Sequence, residues 1–217
     1  MSQLVNRSGT LQAPQLDYVL LDGSGSMMSK WWETIGALEA YVDVLKSQNV
    51  NSHGILQTFD NYDLDCVQRD GVLKDWEKLD TIGANWGATP LYDAINVMVR
   101  RLADLNPPRC SIVIVTDGDE NGSKTDVNQA LALLDWCRAK GWQVTFLGAD
   151  FNNSSQAKAL GANDSNSVGV RREKLLEAGK TLGEKRIKAL ANDEEINFSE
   201  DERKAFGGYL TDGSAGK

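Results

Sequence analysis

The sequence predicts an α/β domain in which a mainly parallel β-sheet is covered by helices on both faces. Three observations carry that prediction. Short apolar runs alternate with segments whose apolar residues recur at three- and four-residue steps, the respective periods of a buried strand and a one-sided helix. The run "CSIVIVTD" (110–117) is apolar at nearly every position, as a central strand buried on both faces must be. The strand-like runs are separated by helix-length segments, the connection that parallel pairing requires.

The elements follow in order. "DYVLL" (17–21) reads as a buried strand. From Lys30 to Gln48, Trp31, Ile35, Leu38, Val42 and Leu45 mark one face of a helix. "HGILQTFD" (53–60) and "YDLDCVQRD" (62–70) read as a tight antiparallel hairpin separated by Asn61. A helix follows Pro90, with Leu91, Ile95, Met98, Leu102 and Leu105 on one face and Pro107-Pro108 as its stop. After the central strand, Val127, Leu131, Leu134 and Cys137 mark a third helix closed by Gly141, and "WQVTFLGA" (142–149) is the next strand. A short helix at 154–160, a weak strand at 167–170 and a helix over roughly 172–190 complete the alternation. Residues 1–16 form a lead segment, 17–191 the domain, and 192–217 an acidic tail. In that tail, Ser199 and Glu202 are spaced as a capping box for a further short helix, and "TDGSAGK" at its end reads as frayed.

Composition narrows the function classes. The 217 residues carry a net charge of −8, which argues against nucleic-acid binding because phosphate contacts need clustered Lys and Arg. The three cysteines form no CxxC pair and sit in apolar patterns, as reduced buried thiols do. The N-terminus lacks an apolar signal region and no run is long enough to span a membrane, so the expectation is a cytoplasmic protein, or a virion-associated one if the source is viral. His53 is the sole imidazole, which leaves no Ser-His-Asp set, and no GxxxxGK[ST] loop is present. The expectation is therefore a protein that is not an enzyme.

In an open parallel sheet, functional groups gather in loops beyond the carboxyl ends of the strands. Three such loops here are rich in oxygen: Asp22-Gly23-Ser24-Gly25-Ser26, "GATPLYD" with Thr89 at a helix start, and "TDGDENGS" (116–123) with Asp117. A hard cation accounts for all three at once. Magnesium takes six oxygens and commonly keeps a position for water or an outside ligand, with Mn2+ and Ca2+ as alternatives. Alternate spacing lets one turning loop aim Asp22, Ser24 and Ser26 at one point, and Thr89 and Asp117 would approach from neighbouring loops. Two carboxylates only just balance a divalent charge, so such a metal would favour one more anionic oxygen.

DxSxS after the first strand, a Thr in a "G-x-TPL" turn and "TDG" after a later buried strand resemble the von Willebrand factor A domain and its metal-ion-dependent adhesion site. "LLDGSGSM", "TFD", "ATPLYDAI", "VTDGDENGS" and "GW-x-x-x-FLGA" are similar to small bacterial and viral members in the same order. The resemblance covers roughly residues 17–190. It implies a Rossmann-like, doubly wound six-stranded sheet of order 3-2-1-4-5-6 with one antiparallel edge strand. It also implies a metal site at Asp22, Ser24, Ser26, Thr89 and Asp117, in which the hydroxyls contact the metal and the aspartates act directly or through water. The implied function is protein binding, with the partner donating a Glu or Asp.

Other readings explain less. Gly, Ser and Asp favour turns, which accounts for any single loop but not for three at strand ends. Asp117-x-Asp119-x-Asn121-Gly122 opens like an EF-hand, yet Asn128 stands where a bidentate Glu belongs and a strand precedes it. Asp117-Gly118-Asp119 is similar to the DxD of haloacid-dehalogenase-type phosphatases, which would leave Asp22, Ser24, Ser26 and Thr89 unexplained. A structural subunit of a larger assembly, or an adaptor for an AAA+ ATPase, is the alternative to a binding module. Met28, Trp86 and Asp119 are the candidate partner contacts: Met28 and Trp86 are expected to be exposed around the site, and Asp119 and Glu120 to lie in solvent beside it and make it acidic. Trp31 fits the helix's core face by spacing.

Overall fold

The computed structural model describes residues 14–118, 120–149 and 154–207. Six strands form one sheet of order β3-β2-β1-β4-β5-β6: β1 (Leu16–Asp22), β2 (His53–Phe59), β3 (Cys66–Val72), β4 (Cys110–Thr116), β5 (Gln143–Ala149) and β6 (Ser167–Val170). Every neighbouring pair is parallel except β2 with β3, which is antiparallel and places β3 at the edge. The predicted order and the single antiparallel edge are what the structure has.

Helices α1 (Trp31–Ser47) and α5 (Leu175–Asn192) cover one face, and α2 (Leu91–Leu105), α3 (Val127–Ala139) and the short α4 (Ser154–Ala159) cover the other. Alternation along β1 explains the division. Val19 and Leu21 belong to the core beneath α1 and α5, whereas Leu16, Tyr18 and Leu20 belong to the core beneath α2. Central β1 and β4 are buried at all positions, which is why each reads as a continuous apolar run. Helix α5 lies very close to α1. A Cβ on Gly179 would come within 2.0 Å of the Ala37 carbonyl oxygen, so only glycine permits that approach.

Two expectations shift. The second strand of the hairpin begins at Cys66 rather than residue 62, because the Asp60 carboxylate gathers the amides of Tyr62 (2.8 Å) and Asp63 (2.9 Å) into a turn. The first long helix is preceded by a 3-10 turn over Gly25–Lys30, so the chain starts coiling within the serine loop itself.

The charged C-terminal segment docks on the sheet. Helix α6 (Glu200–Phe206) starts with the expected Ser199/Glu202 capping box. Ile196, Phe198 and Phe206 are buried in the core beneath α1 and α5, with Phe198 and Phe206 packed edge to face at 6.3 Å. The acidic side chains around them point outward: Asp193, Glu194, Glu195, Glu200 and Asp201 are exposed. Residues 1–13 and 208–217, including "TDGSAGK", lie outside the described residues.

Candidate metal centre

Register assembles the site. β1 and β4 pair through Leu21↔Val115, and β1 and β2 through Asp22↔Phe59, so all three strands end at one level. Beyond that level, Gly23 N–H donates to Phe59 O at 2.8 Å and Gly25 N–H to Gly87 O at 2.8 Å. Ser24 forms a parallel bridge with Gly87, and Trp86 N–H returns a bond to Gly23 O at 3.0 Å. Residues 86–87 thus bridge to the serine loop beyond the sheet, and Thr89 follows two residues after Gly87. A Cβ on Gly87 would meet Asn61 Oδ1 at 2.0 Å, so glycine is required there. Asn121 Oδ1 accepts from Thr89 N–H at 2.8 Å, and Asn121 N–H donates to Thr89 O at 3.1 Å, which ties this loop to the one after β4.

Four of the five predicted ligands form one hydrogen-bonded group. Asp22 is fully buried. Its Oδ1 accepts from Ser24 N–H at 2.8 Å and its Oδ2 from the Thr116 hydroxyl at 2.6 Å. Ser24 Oγ and Ser26 Oγ lie 3.1 Å apart, and Ser26 donates to Asp117 Oδ1 at 2.6 Å. Thr89 closes the ring from the other side. A Cβ built on Gly118 would lie 3.4 Å from Ser26 Oγ and 3.8 Å from Thr89 Oγ1, so the two hydroxyls face a common space that glycine keeps open.

Electrostatics leave this group short of positive charge. Burial pushes the Asp22 carboxyl up to about 6, and nearby Asp117 adds to the rise against the opposing hydrogen bonds from Thr116 and Ser24. The compensating cation on this side is Lys30, whose Nζ lies 2.5 Å from Asp117 Oδ2. Sequence reasoning missed Lys30 by treating it as the start of α1. It ends the 3-10 turn that carries Ser26, and its long side chain reaches the same carboxylate that Ser26 binds. Thr116 opens the oxygen-rich loop 116–123, but its role of holding Asp22 through its hydroxyl is not among the sequence expectations.

The donor set fits a hard divalent cation. It offers oxygens only, among them the Ser26 and Thr89 hydroxyls facing one space and the Ser24 hydroxyl 3.1 Å from Ser26. Both oxygens of each aspartate are engaged by hydrogen-bond donors, which suits carboxylates that act through water. Among the described residues no three His, Cys, Asp or Glu side chains are placed to share an ion, so the hydroxyls of Ser24, Ser26 and Thr89 carry the fit.

The predicted rim divides. Met28 is 57% exposed, as expected, and neighbouring Trp32 is 62% exposed. Trp86 is half-buried rather than exposed, because its indole packs edge-on to core Trp31 at 5.1 Å. It adopts a φ of 62°, a left-handed conformation that bulky residues avoid. Met28, Trp32 and Trp86 line a groove of about 440 Å³ with Ile82 and Ala84. Asp119 lies outside the described residues. Glu120 is not a solvent-facing acid: its Oε2 accepts from Tyr92 N–H at 3.0 Å in the first turn of α2, and its Oε1 accepts from the Gly122 and Ser123 amides of its own loop.

No family model and no curated protein matches the sequence. Solved structures do match the fold. The vWF domain of the type V pili tip protein Mfa5 from Porphyromonas gingivalis superposes with a TM-score of 0.63 at 11% identity, covering 87% of this chain and 98% of that one. The pilus adhesin SpaC from Lactobacillus rhamnosus GG gives 0.65 at 13% identity over 82% of this chain, which spans only 31% of the adhesin. The SpRpn10 VWA domain gives 0.52 at 13% identity, covering 76% of this chain and 93% of that domain. Strand order, helical layers and these superpositions together show that the chain has the fold of a von Willebrand factor A domain.

Proposed function

We propose that this chain is a non-catalytic protein-binding module whose adhesion surface is a divalent-metal site. Ser24, Ser26 and Thr89 would hold the ion directly, with Asp22 and Asp117 behind them, and Mg2+ is the first choice over Mn2+ or Ca2+. When bound, the metal supplies an electrophilic position for a carboxylate oxygen from a partner's Glu or Asp. The observation that carries this reading is that the Ser26 and Thr89 hydroxyls face one space beside Gly118, with the Ser24 hydroxyl 3.1 Å from that of Ser26, backed by two aspartates whose oxygens are all engaged. The exposed Met28 and Trp32 beside it provide apolar contact area of the kind enriched at interface cores. That the fold occurs in a pilus adhesin and a pili tip protein supports an interaction role.

The three cysteines are free thiols, two of them buried, which supports a reducing compartment. Among the described residues no helix is long and apolar enough to cross a membrane. The docked C-terminal segment favours the alternative reading of a structural or adaptor subunit only if α6 itself is a contact surface. Affinity capture from the native host decides between the readings. Partners held in Mg2+, released by chelator and not captured by the Asp22→Ala chain support the metal-bridged interface. Partners that persist through both treatments contradict it. Turnover of generic phosphate monoesters that Asp117→Asn abolishes would instead point to the phosphatase-like alternative.

A further inference from the structure

Asp60 follows β2 directly, one position beyond Phe59, the residue that pairs with Asp22 at the end of β1. It is 2% exposed, and only half of its carboxylate is used. Oδ1 holds the turn through the amides of Tyr62 and Asp63, while Oδ2 is buried and meets no donor among the described residues. None of the ion pairs among the described residues includes Asp60 or Asp63. The nearby Arg69 is spent on the carbonyls of Gln68 and Lys78 and on the Thr81 hydroxyl. A buried carboxylate oxygen without a donor carries a desolvation cost that a donor brought to it would relieve.

Asp60 lines a cavity of about 300 Å³ together with Asp63, Thr58, Cys66, Gln68 and the 83–85 segment. Gly23 of the serine loop lines the same cavity, which therefore borders the loop that carries Asp22 and Ser24. Two features decide what cation it suits. No three His, Cys, Asp or Glu side chains among the described residues are placed to share an ion, which disfavours a second bare metal. The acceptors are instead spread along the cavity and include the Asp60 carboxylate and the Gly83 carbonyl, which already accepts weakly from Gln68 at 3.3 Å. A planar guanidinium with five N–H donors on an extended stem matches spread acceptors better than a point charge does.

We infer that this cavity receives an arginine side chain of the partner, beside the position where the partner's carboxylate meets the metal. The recognised segment then carries an acidic and a basic residue close together, the acid directed to the Ser24–Ser26 loop and the guanidinium to Asp60. This names the partner chemistry of the interface proposed above and rests on that reading.

The test keeps the two apart by working in chelator, with Nα-acetyl-arginine amide as the probe and amide chemical shifts of the full chain as the readout. Saturable shifts at Tyr62, Asp63 and Gly83 are expected, and they persist in the Asp22→Asn chain. The neutral citrulline analogue and the Asp60→Asn chain should each bind about tenfold more weakly or worse, because the charge-assisted hydrogen bonds are lost. Asn at position 60 retains an Oδ1 acceptor for the turn, and the citrulline comparison on the unaltered chain stands even if that variant unfolds. Equal shifts from citrulline and arginine, unchanged binding by Asp60→Asn, or no shift at all would overturn the inference. So would Mg2+ alone shifting the same amides in the Asp22→Asn chain, which would assign the cavity to a metal. Partner capture that ignores chelator, by contrast, would sink the metal reading and leave this cavity's result intact.

Discussion

Strand β1 carries an aspartate near each end, and the two have opposite settings. Asp17, near the amino end, is enclosed by the protein's own donors: Arg186 Nε at 2.8 Å, Tyr41 hydroxyl at 2.7 Å and the Ser52 hydroxyl. Burial alone would pull the Arg186 guanidinium down, yet Asp17 and Tyr41 beside it hold it above its ordinary value. Asp22, at the carboxyl end, is equally buried but receives only an amide and a hydroxyl, and its carboxyl is pushed up to about 6. The first charge is balanced from within and ties α1 and α5 to the sheet. The second has no cation of its own, and the serines beside it open to solvent at Ser26. The acid with its own counter-ion serves the architecture; the acid without one is the one that the proposed function pairs with an outside cation.

Breaking the closed pair has the largest expected effect. Arg186→Met strands Asp17 in the core, and Asp17→Ala strands Arg186, so each should cost about 3–5 kcal/mol in urea unfolding. A double variant that removes both should regain part of the loss. If either single variant unfolds at the wild-type urea midpoint, the Asp17–Arg186 tie does not hold the helices.

The open acid should respond the opposite way. Asp22→Asn removes a charge that the metal-free protein holds at a cost, while Asn can still accept from Ser24 N–H. In chelator at pH 7 this variant should be more stable than wild type, by up to about 3 kcal/mol from the upward shift to about 6. The same shift gives a pH signature. The folded carboxyl binds its proton more tightly than the unfolded one, so this contribution to stability is fully present below about pH 4. It is lost as pH rises through about 6. Thermal melts of the metal-free chain should show that decline, and Asp22→Asn should remove it.

Lys30 sharpens the contrast with the smallest effect. Its ammonium partly supplies at Asp117 what Arg186 supplies at Asp17. Lys30→Met should therefore tighten Mg2+ binding, on the order of tenfold, by removing a competing positive charge. Weaker Mg2+ binding in that variant would instead make Lys30 a supporting part of the site.

Much of this contrast was legible in the sequence at one end only. Asp22, Ser24 and Ser26 announce themselves because alternate oxygen side chains between glycines have few uses in a plain turn, and Thr89 and Asp117 follow segments of the right type. The topology was legible too, since the period of each segment and the apolar β4 leave little choice of sheet. Asp17 gave no signal, because a single acid at a strand start reads as a boundary and its partner lies 169 residues away. Lys30 and Thr116 were hidden by their places at element ends. Ile196 and Phe198 are hard to see within an acidic tail because charge dominates the local composition, although with Phe206 they bury the segment in the core. Long-range neutralisation is a property of packing, and periodicity does not report it.

The most direct measurement is a calorimetric titration of Mg2+ into the wild-type and Asp22→Asn chains at pH 7. Saturable one-to-one binding to wild type is predicted, with none to an Asp22→Asn chain that is folded and more stable. Equal binding to both chains, or no binding to wild type, would contradict the assignment of the carboxyl end of β1 as a cation site.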